Sequence, residues 1–294
     1  MITNELKQKV VEGLRERRKN FAGSDSKFAV SICTSPSQLS RILKGELDRV
    51  ISDAKWISLA RMLDITLSNA PQWQPANTPV FAFIKEQMTL CQERSQSSLF
   101  CDKSDIGKTY TAMWYQKNNR NVVYIDCSQV KTKFALIRHI AQSFGTESKG
   151  RYAEVYNDLA YYIKTLDKPF IILDEAGDLT YEAFLEIKAL WNATENACGW
   201  YMMGANGLKQ KISRMINADK VGYEETYTRF GSRTIKLLPE AKAEKEKMLL
   251  ATAAMIIKAN AQAKDIDMNK IINSTRGDDY LPSLRRIYKA ININ

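Results

Sequence analysis

The sequence has little of what most metal sites and hydrolase sites need. It contains one histidine and five cysteines among 294 residues, and no two cysteines form a C-x-x-C pair. A two-histidine metal site is excluded, and hydrolysis by a serine–histidine or cysteine–histidine pair is disfavoured. Scattered cysteines predict neither a disulfide framework nor a zinc cluster and fit a reducing cytoplasm. The chemistry must therefore rest on carboxylates, Lys, Arg and the backbone.

Long apolar runs are also missing. No run approaches the ~18 residues that a membrane span needs, and residues 1–6 lack the apolar core of a signal peptide. Apolar residues make up 45% of the chain and charged residues 26%, which is typical of globular proteins. We therefore expect a cytoplasmic protein without a membrane partner.

Acidic residues are too few to balance the basic ones. The 43 Lys and Arg exceed the 33 Asp and Glu, which gives a net charge of +10. The excess lies at the ends, with 12 basic against 8 acidic residues in 1–75, 21 against 19 in 76–240 and 10 against 6 in 241–294. Such a balance favours a polyanionic partner, nucleic acid first and an anionic membrane second.

Prolines divide the chain. Three of them fall within residues 69–79 and predict an extended linker. We therefore expect a helical domain over 1–68, the linker over 69–79, an α/β core over 80–239 and a helical lid over 240–294.

The first segment has a helix-turn-helix pattern. Residues 26–32 and 37–44 have the pattern of two short helices, with Ser35 as N-cap, Pro36 at the first helical position and Gly45 as the stop. The second helix would enter a DNA major groove and present Gln38, Arg41 and Lys44. A helical bundle that contacts protein is the alternative.

The core region alternates short apolar runs with helical patterns. The runs lie at 99–101, 122–125, 170–173, 200–203 and 234–237. This alternation predicts an α/β fold with a parallel five-stranded sheet between helices. Helical patterns at 240–262, 268–274 and 281–290 would form the lid.

A phosphate-binding loop is predicted after the first run. Residues 102–109, D-K-S-D-I-G-K-T, approximate the pattern G-x-x-x-x-G-K-[ST] and open a helix. Backbone N–H groups would hold phosphates, Lys108 would reach the β- and γ-phosphates, and Thr109 would bind Mg²⁺. The nucleotide-contacting candidates are Asp102, Lys103, Ser104, Asp105, Ile106, Gly107, Lys108, Thr109 and Thr111.

Two acidic residues depart from this pattern. Asp102 replaces its first glycine, and Asp105 adds a second negative charge. A carboxylate ~6 Å from a phosphate charge would cost ~3 kcal/mol at an effective dielectric constant of ~20. Nucleotide affinity would suffer unless the side chains point outward or meet Lys103.

A second motif supports the first. Residues 170–173 are apolar and are followed by Asp174 and Glu175. Asp174 would hold Mg²⁺, and Glu175 would orient and deprotonate the attacking water. Further candidates follow in order: Asn206 for the γ-phosphate or the water, Arg229 and then Arg233 for reaching a neighbouring subunit's nucleotide, and Arg285 for reaching the phosphates from the lid.

This order of motifs resembles the AAA+ ATPases. Within them the chain is most similar to the target-selection ATPases of Mu-type transposable phages and to related transposon helper ATPases, on residues 101–109, 118–122, 171–176 and 203–204. In this resemblance the polar sensor falls at Ala205 or Asn206, and Arg229 or Arg233 is the finger arginine.

The resemblance implies a weak ATPase that uses ATP and Mg²⁺ and is stimulated by DNA or a partner. Subunits would assemble as a filament or ring on double-stranded DNA, with little sequence preference, and would present it to a partner transposase. The core's candidate DNA contacts are Lys131, Lys133, Lys149, Arg151, Lys209, Lys211 and Arg214. A helicase-loading or replication-initiating ATPase, a nucleotide-binding signalling ATPase that does not bind DNA, and a non-hydrolysing DNA filament protein remain alternatives.

Overall fold

The computed structural model describes residues 3–63, 65, 73–261, 267–277 and 279–293. Its strands are β1 (Ser97–Cys101), β2 (Val122–Asp126), β3 (Phe170–Asp174), β4 (Gly199–Gly204) and β5 (Thr234–Ile235). The helices are α1 (Asn4–Lys19), α2 (Asp25–Ser31), α3 (Pro36–Leu43), α4 (Asp53–Met62), α5 (Pro79–Glu93), α6 (Lys108–Asn118), α7 (Lys133–Phe144), α8 (Tyr152–Thr165), α9 (Tyr181–Ala193), α10 (Asn206–Asn217), α11 (Tyr223–Arg229), α12 (Lys242–Asn260), α13 (Met268–Ser274) and α14 (Leu284–Ile293).

The five strands form one parallel sheet, as predicted, and their order is β2-β3-β4-β1-β5. Apolar side chains from helices cover both of its faces, which explains why the strands read as nearly continuous apolar runs. The last strand is shorter than the predicted 234–237. It ends at Ile235 because the carboxylate of Asp102 accepts hydrogen bonds from the N–H groups of Leu237 and Leu238.

The parallel arrangement gathers the polar strand ends at one edge. Asp126 is in register with Asp174, and Cys101 with Gly204. The loops that follow β1, β2, β3 and β4 therefore meet at the carboxyl edge of the sheet. Ligands of open α/β sheets bind at this edge.

Three helices beyond the sheet form the lid, at nearly the predicted positions. α12, α13 and α14 share a small apolar core that includes Ile257, Ile271 and Ile287. α14 starts three residues later than predicted, because the Ser283 hydroxyl accepts a hydrogen bond from Arg286 N and so caps the helix. Residue 262, predicted as the end of the long helix, lies outside the described residues.

The second half of the predicted linker runs along the lid. The Trp73 ring lies 4.8 Å from the Tyr288 ring of α14, centroid to centroid. Gln74 exchanges two backbone hydrogen bonds with the Asn260 amide, at 2.8 and 3.1 Å. Residues 69–72 of the predicted linker lie outside the described residues.

The amino-terminal helices α1 to α4 have their own apolar core. Ser35 accepts a hydrogen bond from Gln38 N in a complete capping box, Pro36 opens α3, and Gly45 follows it with φ 91°. The helix-turn-helix pattern of α2 and α3 is therefore present. The domain boundaries remain a prediction.

The amino-terminal helices contact the core at the β2 edge of the sheet. The Lys27 ammonium lies 3.2 Å from the centroid of the Tyr162 ring, and the Gln142 amide donates to Cys33 Sγ at 2.9 Å. The Asn20 amide donates to the carbonyl of Lys117. α2 therefore faces the core, whereas Ser37, Arg41 and Lys44 of the α3 segment are exposed.

Among the described residues, no helix is both long and apolar enough to cross a membrane. The five cysteines are free thiols, and only Cys33 among them is exposed. The described part of the chain also holds no group of three His, Cys, Asp or Glu residues placed to bind a metal ion.

Candidate functional site

The loop between β1 and α6 has a backbone geometry that suits phosphate binding. Gly107 has φ 98°, a left-handed conformation that glycine adopts without strain, and a Cβ there would meet no atom within 4 Å. α6 begins at Lys108 with no side-chain cap, so its first N–H groups remain available. A helix N-terminus of this kind, following a buried strand, binds anions.

The loop meets the end of β3 at Thr109. The Thr109 hydroxyl donates to Asp174 Oδ2 at 2.6 Å, and Asp174 is 1% exposed. The Lys108 ammonium is buried and donates to the carbonyls of Asp102 at 3.1 Å and Lys103 at 2.6 Å. Glu175 is exposed, directly after the strand. The four side chains that the two motifs predicted are thus brought together.

Burial sets the protonation tendencies of this group. It raises the pKa of the Asp174 carboxyl. The Glu175 carboxyl, although its residue is exposed, is partly desolvated, and this together with the negative charge of Asp174 raises its pKa. Burial lowers the pKa of the Lys108 ammonium, while the charges of Asp174 and Asp102 oppose that change. A carboxylate with a raised pKa is suited to accepting a proton.

The residues present fit a nucleoside triphosphate with Mg²⁺. Thr109 and Asp174 supply adjacent hydroxyl and carboxylate oxygens, the ligand type that Mg²⁺ prefers. The open face at Gly107 leaves room for phosphates beside the N–H groups of α6. Thr111, a further candidate, is buried and donates to the Gly107 carbonyl at 2.9 Å, so it supports the loop from behind.

The side chains of the remaining loop residues differ in burial and in their hydrogen-bond partners. Asp102 is fully buried, and Asp105 has φ 60°. The carboxylates of both accept hydrogen bonds from outside the loop, as described below. Ile106 is buried in the apolar core on the α6 face of the sheet, whereas Ser104 is exposed and Lys103 is half-buried.

The two candidate finger arginines differ in their surroundings. Arg229 is half-buried, donates to Asn192 Oδ1 at 2.6 Å and to the Glu225 carbonyl at 2.7 Å, and lies 5.5 Å from the centroid of the Trp191 ring. Arg233 is exposed just before β5. The first choice from the sequence is therefore held within its own subunit, while the second is free to reach outward.

The other two polar candidates surround the same edge. Asn206 is exposed at the first position of α10, two residues after the end of β4. Arg285 lies in the first turn of α14, where its Nε is 3.9 Å from Asp105 Oδ1 and its side chain is 84% exposed. The lid thus brings Arg285 to the loop, and its contact with the phosphates stays a prediction.

The DNA candidates of the helix-turn-helix are partly committed. Gln38 uses its amide within the domain, accepting from Ser35 N at 3.3 Å and donating to the Val50 carbonyl at 3.3 Å. Arg41 pairs with Glu46 at 2.7 Å on the surface. Lys44 is exposed.

Two of the basic candidates of the core, Lys131 and Lys211, contact the turn of residues 176–178, which follows Glu175. Lys131 pairs with Asp178 at 3.1 Å, and Lys211 donates to the carbonyls of Gly177 and Leu179 at 2.8 and 2.7 Å. Lys133 lies over the rings of Phe134 and Tyr152. The exposed members of the set are Lys131, Lys149, Arg151, Lys209 and Arg214.

Sequence reasoning missed Tyr124, and it named Lys211 only as a candidate DNA contact without foreseeing its contacts within the fold. Tyr124 donates to Asp174 Oδ2 at 3.0 Å, and Lys211 clamps the turn beyond Glu175 rather than standing free. Alternation along β2 places Val123 and Ile125 against one face of the sheet and Tyr124 against the other, the α6 face. That period of two was the available signal for Tyr124. No local pattern distinguishes Lys211 from a solvated lysine.

Comparison with known proteins gives a partial match. Residues 93–212 match the family model described as "AAA domain". No curated protein matches the chain. Among solved structures, the chain is similar to Cdc6p from Pyrobaculum aerophilum, with 17% identity and a TM-score of 0.45. The match covers 65% of this chain and 57% of that one, so it spans little more than half of the solved chain.

The family match covers the part of the chain that builds the site. It begins just before β1 and ends within α10, and so includes the phosphate loop, Thr109, Asp174 and Glu175. The parallel five-stranded sheet carries these residues at its carboxyl edge. The fold of this chain is therefore α/β, and the part that matches the AAA-domain model carries the phosphate loop and the carboxyl end of β3. A helical lid and an amino-terminal helix-turn-helix adjoin it.

Proposed function

We propose that this chain is an ATPase that converts ATP and water to ADP and phosphate. The observation that carries the proposal is the contact between the two motifs, in which Thr109 donates to the buried Asp174 at 2.6 Å beside Lys108 and Glu175. Mg²⁺ held by Thr109 and Asp174 would neutralise phosphate charge and polarise the terminal phosphoryl group.

The chain's own residues have separate roles in this reaction. The N–H groups of the loop and of the first turn of α6 bind phosphate oxygens. Lys108 turns its ammonium from the carbonyls of Asp102 and Lys103 to the phosphates. Glu175 orients the attacking water and accepts its proton as the bond from the terminal phosphorus to the ADP oxygen breaks. Its raised pKa favours this transfer.

Magnesium-dependent release of phosphate tests the ATPase. We expect turnover by the wild-type chain and its loss in Glu175→Gln, with nucleotide binding retained. A wild-type chain that releases no phosphate with Mg²⁺, with or without duplex DNA, would reject the proposal and favour a non-hydrolysing DNA filament protein.

We further propose that the protein binds duplex DNA as an oligomer, with little sequence preference. The net charge of +10 supports this, because phosphate contacts dominate such binding. The basic residues around the turn after Glu175 support a link to hydrolysis. A DNA phosphate that binds Lys131 would displace its partner Asp178, three residues from the proposed base.

Between subunits, Arg233 is the better placed of the two finger candidates. It is exposed, whereas Arg229 is bound to Asn192 and Glu225 of its own subunit. We expect Arg233→Ala to abolish DNA-stimulated hydrolysis and Arg229→Ala to act mainly on stability. The opposite ranking, with both variants folded, would assign the finger to Arg229.

The finer role that we propose is selection of target DNA for a partner transposase. It rests on the sequence resemblance to the target-selection ATPases of Mu-type phages and related transposons. An in vitro strand-transfer assay with a Mu-type transposase tests it, and we expect insertion to depend on this protein and ATP. Strand transfer could instead be the same with and without this protein, while a helicase is loaded in an ATP-dependent way. That result would replace the proposed role with helicase loading.

A further inference from the structure

The first loop residue that departs from the phosphate-loop pattern faces away from the phosphate side. Asp102 is fully buried, and its Oδ2 accepts from Leu237 N at 2.9 Å and from Leu238 N at 2.8 Å. Its Oδ1 accepts from Lys103 N at 2.7 Å. Leu237 and Leu238 lie in the segment that leads from β5 to the lid. Both oxygens of this carboxylate are thus used by backbone N–H groups, which stabilise its charge.

The second such residue reaches the lid itself. Asp105 Oδ2 accepts from the Ser283 hydroxyl at 2.7 Å, and Asp105 Oδ1 accepts from Arg285 N at 3.1 Å. Ser283 in turn accepts from Arg286 N. A carboxylate at this point also complements the dipole of α14. Asp105 therefore completes the amino-terminal cap of a helix that lies 178 residues further along the chain.

A third contact lies beside these two. Lys103 Nζ is 2.5 Å from Asp279 Oδ2, and this ion pair lowers the pKa of the Asp279 carboxyl. Asp279 also accepts from Leu281 N at 3.1 Å. Every charged side chain of residues 102–105 is thus joined to the lid or to the segment that leads into it.

We propose that Asp102 and Asp105 are positioning residues that fasten the lid to the phosphate loop before nucleotide binds. Asp102 holds the start of the lid through Leu237 and Leu238, and Asp105 holds the first turn of α14, where Arg285 lies. The proposal deepens the ATPase function and rests on it for the effect on nucleotide. A lid that is already in place lowers the ordering cost of binding.

The two possible directions of the loop carboxylates predict opposite effects on nucleotide binding. If the carboxylates faced the phosphates, replacing either by glycine would tighten nucleotide binding by up to about a hundredfold. If they fasten the lid, the same replacement loosens the lid and weakens binding. Glycine at position 105 leaves the backbone unstrained, because φ is 60° there. The direction of the change therefore distinguishes the two readings.

Amide hydrogen exchange of the nucleotide-free full chain tests the lid contact directly. We expect Asp105→Gly to speed exchange in residues 283–290 by about tenfold, the loss of roughly one hydrogen bond's worth of protection. Asp102→Asn should speed exchange in residues 236–240. Asp219→Gly is the matched control, since Asp219 is exposed with φ 48° at the end of α10. Unchanged exchange in both regions would overturn the proposal.

Fluorescence of a labelled ADP gives the second measurement. We expect Asp105→Gly to raise its Kd by about tenfold, with partial recovery in Asp105→Asn, which keeps one acceptor oxygen. Tighter binding in Asp105→Gly would overturn the proposal. A wild-type chain that binds no nucleotide would reject the ATPase, whereas the lid contact is still decided by hydrogen exchange without nucleotide. Circular dichroism confirms that each variant is folded.

Discussion

Two pairs of carboxylates lie at the carboxyl edge of the sheet, and they are used in opposite ways. Asp174 ends β3 and accepts a hydrogen bond from Thr109 of the phosphate loop, and Glu175 follows directly after the strand. Asp102 and Asp105 stand within the loop, yet their oxygens accept hydrogen bonds from the segment before the lid and from α14. We therefore propose a chemical role for the first pair and an architectural role for the second.

The comparison shows that the partner decides the role of a carboxylate more than its place in a motif does. Asp174 lies beside a hydroxyl, a phenol and an ammonium, partners that can rearrange around a metal ion. Asp102 is bound by backbone N–H groups, which are fixed by the fold. Substitutions in the first pair should therefore change activity, and those in the second pair should change stability and lid order.

The largest expected effect separates the two pairs by activity. Glu175→Gln removes the proposed base while keeping size and polarity, so kcat should fall by about 10²–10⁴-fold. Nucleotide affinity should change little, since Glu175 is exposed and follows the strand rather than the loop. Steady-state phosphate release and binding of a labelled nucleotide measure both. An unchanged kcat would remove Glu175 from the mechanism.

The next effect tests the architectural pair by stability. Asp102→Ala leaves the N–H groups of Leu237 and Leu238 without their acceptor, which should lower the free energy of unfolding by roughly 2–4 kcal/mol. Asp102→Asn should lose less, because one acceptor oxygen remains. Urea denaturation measures the difference, and Asp158→Ala on the exposed side of α8 is the control. If Asp102→Ala loses no more unfolding free energy than the control, Asp102 does not have the architectural role assigned to it.

A smaller effect is expected from the hydrogen bond between Tyr124 and Asp174. Tyr124→Phe removes the phenol that donates to Asp174 Oδ2 at 3.0 Å and leaves the packing of the ring intact. The Mg²⁺ concentration for half-maximal hydrolysis should rise by about tenfold, as is usual for partners that orient a metal ligand. The free energy of unfolding should fall by about 1 kcal/mol or less. If the Mg²⁺ dependence does not move, Tyr124 serves packing alone.

The smallest effect is a pH dependence of stability. Burial raises the pKa of Asp174 in the folded state above its ordinary value of 3.8, so the fold favours the neutral carboxyl. The stabilisation is fully present below that ordinary value and is lost as pH rises through the folded pKa. Asn carries no charge at any pH.

The matching measurement compares Asp174→Asn with the wild type. Without nucleotide, the difference in unfolding free energy should grow in favour of the variant as pH rises from about 4 to 7. Thermal unfolding across this range measures it. A difference that stays constant, or that favours the wild type at neutral pH, would contradict the assigned cost of burying Asp174.

The pair Asp174 and Glu175 could be predicted from the sequence because its signals are local. Four apolar residues and then Asp174 and Glu175 indicate a buried strand and its carboxyl end, and Gly107-Lys108-Thr109 indicates the loop. A parallel sheet then brings strand end and loop to one edge. The register of Asp126 with Asp174 confirms this edge.

The hydrogen bonds of Asp102 and Asp105 could not be predicted, because the partners of these residues are remote in the sequence. The residues that bind Asp102 lie 135 and 136 positions away, and no periodicity links such positions. The same reason accounts for Arg229 and Gln38. Arg229 is held by Asn192, 37 residues earlier, and Gln38 by the Val50 carbonyl of the segment before α4. Tertiary contacts fix the direction of these polar side chains.

We propose that ATP bound in this site controls the binding of DNA, and fluorescence anisotropy measures that control. A labelled random-sequence duplex is titrated with the protein at ~150 mM salt, with and without ATP and Mg²⁺. We expect cooperative binding that requires ATP and that is lost in Lys108→Ala. Binding that is equal with and without ATP would contradict it and would assign DNA contact to the helix-turn-helix alone.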